Sequence, residues 1–271
     1  MLSIACFGII CIDDDILLGV NKRKNTTEVL IGGKLNQVDF RYLSTLINQH
    51  VKGDKSIFDV YFNTICPMIE KMNQTKFNEP TIYKHKIDLN DEKFITELLN
   101  SDGKSPFFKC TRLLECLILK RELWEEVGGL YISIESLYNS KSHHFPDNVP
   151  YRFVSVFRIE NITIAELEML DHGINLLKSY SVDVPIDYLA LIEHDVLVEW
   201  LYEKSQILKS YVYTFNVDET DVDIPPIRDF SIPYLKHFFP KIKNSENSEE
   251  STSTNSDVAE IIDDMKKLTM N

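Results

Sequence analysis

Residues 115–129, ECLILKRELWEEVGG, restrict the fold of this chain more than any other stretch. At 3.6 residues per turn, Glu122, Glu125 and Glu126 stand at i, i+3 and i+4 and so share one helical face. Arg121 lies four residues before Glu125, within reach of an intrahelical ion pair that orients that carboxylate. Three carboxylates on one face repel one another unless a cation sits between them. A hard divalent ion such as Mg²⁺ takes oxygen ligands and pairs with substrate phosphates. Gly128 and Gly129 supply the stop, since glycine tolerates the left-handed conformation that ends a helix. The plain alternative is a solvated acidic face. The helix is expected to start between Lys109 and Arg112 and to end at Val127. Leu113, Leu114, Leu117, Ile118, Leu119, Leu123, Trp124 and Val127 give it a broad apolar surface to bury.

The chain of 271 residues, 44% hydrophobic and 11% aromatic, holds one large domain or one domain with a sizeable insertion. A net charge of −13 argues against tight nonspecific binding to nucleic-acid backbone, although a local patch can still engage RNA. The five cysteines, Cys6, Cys11, Cys66, Cys110 and Cys116, include no CxxC pair, which suits a reducing compartment and offers no zinc site. The apolar run Leu2–Ile12 is too short to span a bilayer and lacks the flanks of a signal peptide, so a buried strand is expected. No membrane association and an intracellular, cytoplasmic location follow as expectations.

Residues 3–12 and 16–20 read as two strands joined by the acidic turn Asp13–Asp15, and Glu28–Ile31 reads as a third. That strand runs into Gly32-Gly33-Lys34, where glycines would let backbone N–H groups approach a phosphate and the lysine would add a point charge. A simple hairpin turn is the competing reading. Helices are expected over 40–50, 57–71 and 91–100, the last capped near Asn90. Residues 130–138 read as a strand or strand pair, and 139–149 as a polar loop holding His143 and His144. Strands at 151–159 and 186–192 and helices at 162–177 and 195–208 complete the pattern. The remainder through Phe239 should pack on the domain. Residues 243–256 are polar without apolar residues, which predicts disorder, and a short helix is expected at 258–268.

The order Arg-Glu-Leu-Trp-Glu-Glu-Val-Gly over 121–128 matches all five fixed positions in the second half of the Nudix motif, so the chain resembles a Nudix hydrolase. With its glycine turn and its large, mainly helical insertion, it resembles more narrowly the large-DNA-virus branch, of poxvirus and African swine fever virus type, although the insertion here falls between the glycine turn and the helix, unlike the placement expected of that branch. That branch removes the cap from mRNA. The resemblance implies an α/β fold, an α/β/α sandwich with a mixed sheet, formed by residues 1–36 and 108–242. It also implies a mainly helical insertion at 37–107 and an acidic tail at 243–271. It implies that Glu122, Glu125 and Glu126 hold Mg²⁺ or Mn²⁺, that Arg121 orients Glu125, and that Gly32, Gly33 and Lys34 meet phosphate. The base would come from the cluster or from a carboxylate in 183–193. Three positions depart from the pattern, the first being Gly129, where the motif normally ends on an aliphatic residue. Leu113 stands where the family has its first glutamate, with Phe107 at the preceding glycine position. Glu115, seven residues before Glu122, is either a displaced member of the metal cluster or a residue placed for the helix dipole.

Three functions follow as expectations. The first is metal-dependent decapping of mRNA to 7-methyl-GDP and 5′-monophosphate RNA. The second is hydrolysis of small nucleotides or diphosphoinositol phosphates. The third is a catalytically degenerate binding module. For a cap, Tyr151, Phe153, Phe157 and Phe58 are candidates to stack on the methylated base, with core packing the competing reading for each. Lys22-Arg23-Lys24 would meet phosphates or form a solvated hairpin end.

Overall fold

The apolar run at the amino end forms a ten-residue strand, Ser3–Ile12 (β1). A tight turn with Asp13 at φ 52° returns the chain as Asp15–Asn21 (β2). Both strands read as nearly continuous hydrophobic runs because both of their faces are covered. Cys6, Ile10 and Ile12 enter one core cluster, while Ala5, Phe7, Ile9 and Cys11 enter the other, on the opposite face of the sheet. The computed structural model describes residues 3–50, 89–100, 106–146, 152–181, 183–203, 212–214 and 224–241. The chain divides into two units, Met1–Pro240 and Lys241–Asn271, and every element named below belongs to the first.

The protein is α/β, with one mixed eight-stranded sheet among the described residues. The remaining strands are Thr26–Glu28 (β3), Ile31–Lys34 (β4), Lys141–Pro146 (β5), Arg152–Ile159 (β6), Tyr188–Glu193 (β7) and Val212–Thr214 (β8). The order is β5-β6-β1-β2-β7-β8, with β3 paired to β2 and β4 paired to β1. Only β1 and β6 run parallel among these pairs. The β1–β2 hairpin is joined at its turn, Cys11 facing Ile16, and opens toward its far end. There β4 pairs with Ala5–Gly8 of β1 and β3 with Gly19–Asn21 of β2. The expected third strand is thus two short ones, broken at Val29-Leu30, that bridge the fork in the hairpin.

One face of the sheet carries Gln37–His50 (α1), Leu89–Asn100 (α2), Pro106–Glu126 (α3), Ile134–Asn139 (α4) and Ile164–Ser179 (α5), all contributing to one core. His194–Glu203 (α6) and Ile232–Phe238 (α7) cover the other face. The helix α3 is the middle of the first layer. It lies on β1 and β4, and α1 packs on it in turn. Cys110, Leu113, Leu114, Cys116, Leu117, Ile118, Leu119 and Leu123 are all buried, as expected of a helix covered on more than one side. Asn36 caps α1, its side-chain oxygen accepting from the Val38 and Asp39 N–H groups, while Asp39 accepts from the Asn36 N–H.

Several expectations need correction. The helix α3 starts at Pro106, ahead of the expected Lys109, and α2 starts at Leu89, so Asn90 lies inside it. Residues 130–138 are not a strand: Ser133 accepts from the Ser136 N–H and opens α4. The expected polar loop instead holds β5, an edge strand paired along its length with β6. The expected helix at 57–71, Phe58, Tyr151, Cys66, residues 204–208 and the tail from 243 onward lie outside the described residues. Among those described, no helix is long and apolar enough to cross a membrane.

Candidate active site

Three devices place the acidic face of α3 against the sheet. The helix ends immediately after Glu126. Gly128 (φ 63°) and Gly129 (φ 106°) turn the chain away, and the Gly129 N–H donates back to the Trp124 carbonyl at 2.9 Å. At the fork of the hairpin, β4 presents two glycines to the helix. A Cβ on Gly33 would stand 2.4 Å from the Glu122 carboxyl carbon, so only glycine lets that side chain lie there. The Gly32 N–H donates to Glu126 Oε2 at 3.0 Å.

The third device is Arg121. Its Nε donates to Asp39 Oδ1 at 2.7 Å and its Nη2 to Asp39 Oδ2 at 3.0 Å, a bidentate grip on a carboxylate that is 1% exposed. The same guanidinium donates to Glu122 Oε1 at 2.7 Å, Glu125 Oε1 at 2.9 Å and the Lys34 carbonyl at 2.9 Å. The expected orientation of Glu125 by Arg121 is therefore present. One cation also ties α1, α3 and β4 together.

Three carboxylates around one guanidinium, with Glu126 beside Glu122, leave excess negative charge in a largely buried place, at the helix end where the dipole already disfavours anions. Burial pushes the Glu126 carboxyl up to about 8, with the charge of Glu122 adding to it and the Gly32 hydrogen bond opposing. Burial also pushes Glu122 up to about 7 against the pull of Arg121, and Glu125 raises it further. Asp39 is raised by burial too, despite its grip on Arg121. Burial acts to lower Arg121, yet Asp39, Glu122 and Glu125 hold it firmly protonated. Carboxylates perturbed in this way make the cluster a candidate functional site.

The donors suit a hard divalent cation in kind: buried carboxylates that raise one another and that such an ion would relieve. They are not preassembled, since among the described residues no three Asp, Glu, His or Cys side chains stand at ligand spacing. Arg121 currently occupies the inner oxygens of Glu122 and Glu125.

Other sequence candidates fall elsewhere. Glu115 does not join the cluster. Seven residues rise about 10 Å along a helix, so it lies two turns below Glu122. There it is buried, accepting from Ser155 Oγ at 2.7 Å and pairing with His144 Nε2 at 2.8 Å. That bond raises the His144 imidazole above its ordinary value. The Gly32 N–H is taken by Glu126, Gly33 lies against the Glu122 carboxyl, and the Lys34 side chain is exposed. Phe157 is fully buried under the Arg112 guanidinium, a core residue. In the segment 183–193, Asp183 pairs with Arg23, and Asp187 with Lys178 and the Lys22 N–H. Glu193 lies at the opposite end of β2, facing Asp15. None of these three carboxylates is bonded to the cluster.

Sequence reasoning missed two residues. Asp39 is one, although Asn36-x-x-Asp39 carries a legible capping pattern. The other is Glu28, on β3, whose charge acts on Glu126 and which lines a cleft with Gly32 and Glu126. No protein-family model, curated protein or solved structure matches this chain.

Proposed function

We propose that this protein is a divalent-metal-dependent hydrolase of a diphosphate linkage. It would belong to the Nudix type, with its α/β/α sandwich, and act on the cap of mRNA to give 7-methyl-GDP and 5′-monophosphate RNA. The observation that carries the reading is the set of buried carboxylates of α3, organised by Arg121 and pressed onto the glycine pair of β4. The motif order over Arg121–Gly128 supports the same reading.

In this mechanism Glu122, Glu125 and Glu126 would hold the Mg²⁺ or Mn²⁺. When bound, the ion neutralises charge on the diphosphate oxygens and lowers the pKa of a bound water. Arg121 holds Glu122 and Glu125 on the same face of the helix and is itself fixed by Asp39. The Gly32 N–H anchors Glu126 Oε2, leaving the rest of that carboxylate turned to the cleft it lines. The proton acceptor belongs to this cluster rather than to 183–193, whose carboxylates are paired or distant.

Incubation of capped RNA with the protein and Mn²⁺ tests the reading by product analysis. Release of 7-methyl-GDP supports it. Turnover of free dinucleotides or diphosphoinositol phosphates alone would move the substrate to small molecules. No turnover of any of these overturns hydrolysis. One observation favours a second reading, a binding module without catalysis: Leu113 replaces an acid, and Glu115 is committed to Ser155 and His144. On that reading, ligand binding survives Glu125→Gln while no turnover is found in either protein.

A further inference from the structure

One nitrogen of Arg121 has more acceptors around it than hydrogens to give. Nη2 carries two hydrogens, and three oxygens compete for them: Asp39 Oδ2 at 3.0 Å, the Lys34 carbonyl at 2.9 Å and Glu122 Oε1 at 2.7 Å. The other nitrogens are committed, Nε to Asp39 Oδ1 at 2.7 Å and Nη1 to Glu125 Oε1 at 2.9 Å. One of the three acceptors at Nη2 is therefore surplus. How firmly each is held decides which one can leave.

Two of the three are fixed. The Lys34 carbonyl is backbone of β4, where Lys34 pairs with Ala5 of β1. Asp39 stands in the first turn of α1, its Oδ2 also accepting from the Asn36 N–H at 2.9 Å. It is 1% exposed, so water cannot replace Arg121 as its partner, and a buried carboxylate stripped of its cation is strongly unfavourable. The helix that carries it cannot shift easily either, because Leu43, Leu46 and Ile47 enter the same core as Leu113, Leu117 and Leu123 of α3. Glu122 is held differently. Its carboxyl ends a flexible side chain that keeps 13% exposure, and among the described residues it accepts from Nη2 alone. When it leaves, Asp39 and the Lys34 carbonyl still take both Nη2 hydrogens.

We propose that Asp39 is a positioning residue for the metal site: by taking one whole edge of Arg121, it leaves Glu122 in excess at the guanidinium and so releasable to a divalent cation. This deepens, and rests on, the metal-dependent reading of the cluster. The Arg121 guanidinium is the positive charge already resident among these carboxylates, and an arriving cation competes with it for Glu122. Without the Asp39 carboxylate, Nη2 would have two hydrogens for two acceptors, the Lys34 carbonyl and Glu122, and Arg121 would keep Glu122 from the cation. The readiness of the site is thus set from α1, in the stretch between the glycine turn and α3, and not by the acidic helix alone.

Calorimetric titration of the full chain with Mn²⁺ tests this in two variants. Asp39→Asn weakens Mn²⁺ binding by about tenfold or more, the range over which outer-shell partners act on metal affinity. Adding Arg121→Gln to Asp39→Asn removes the competing guanidinium and returns the affinity to the native value or beyond it. A purely architectural Asp39 predicts the reverse order, with the double variant binding no more tightly than the single one. Circular dichroism establishes that each variant is folded. Where Asp39→Asn alone unfolds, the double variant, which buries no charge, carries the test: affinity at or above the native value supports the proposal, and a loss of about tenfold overturns it. Mn²⁺ affinity untouched by Asp39→Asn, or not recovered in the double variant, also overturns it. The two readings separate. Turnover of capped RNA by the native protein, with Mn²⁺ affinity indifferent to Asp39→Asn, sinks the role of Asp39 alone. The expected order of affinities without turnover by the native protein sinks hydrolysis alone.

Discussion

Replacing Glu126 by glutamine should make the metal-free protein more stable. The ordinary Glu value of 4.5 is pushed to about 8 in the fold. A carboxyl raised in this way contributes stability that is fully present below the unfolded value and is lost as pH rises through the folded one. At pH 7 the gap from 4.5 spans 2.5 pH units, so holding Glu126 in the fold costs about 3 kcal/mol. Glutamine resembles the protonated acid in shape and still offers an oxygen to the Gly32 N–H. The variant is therefore expected to gain about 2–3 kcal/mol at pH 7 and less than about 1 kcal/mol at pH 5. Urea unfolding followed by circular dichroism, in chelator at both pH values, measures this directly. Equal or lower stability of the variant at pH 7, or a gain of the same size at pH 5, would refute the reasoning. Either result would mean that Glu126 is not held in a charge-starved place.

Further expectations concern the groups around it. Arg121→Lys keeps the charge but loses the bidentate grip on buried Asp39, and chemical denaturation should show a loss of about 3 kcal/mol. Gly33→Ala puts a methyl where the Glu122 carboxyl stands. Mn²⁺-dependent turnover should fall by at least about tenfold, the cost of a misplaced ligand or its outer-shell support, with the circular dichroism spectrum preserved. Ser155→Ala removes a donor to buried Glu115, which lies two helical turns from the cluster. It should cost about 1–3 kcal/mol by urea titration and leave turnover at the native level.

The parts of the fold legible in the sequence are those whose residues answer to their immediate neighbours. The two-sided apolar runs of β1 and β2 and the glycine stop of α3 depend on nothing distant. The site was legible only on α3 itself, where helical spacing brings Arg121 to Glu125. Asp39 stands 82 positions from Arg121 and Glu28 200 positions from Arg228, and no local pattern announces such partners. Periodicity also misled. It places Glu115 on the same face as Glu122 but says nothing of the two turns between them, or of Ser155 and His144 waiting on neighbouring strands. The edge strand β5, Lys-Ser-His-His-Phe-Pro, carries too little apolar alternation to be seen as a strand. Its place is set by backbone pairing to β6. The alternation in 130–138 suggested a strand, yet the hydroxyl of Ser133 captured the Ser136 N–H and set a helix instead.

Titration of the chelated, then metal-freed protein with Mn²⁺, followed by the electron paramagnetic resonance signal of the free ion, tests the central claim most directly. At pH 7.5 the native protein should remove Mn²⁺ from the free signal, and Glu122→Gln with Glu126→Gln should abolish that uptake while the fold persists. Undiminished free Mn²⁺ in the presence of the native protein, or equal uptake by the double variant, would contradict a metal site on this helix.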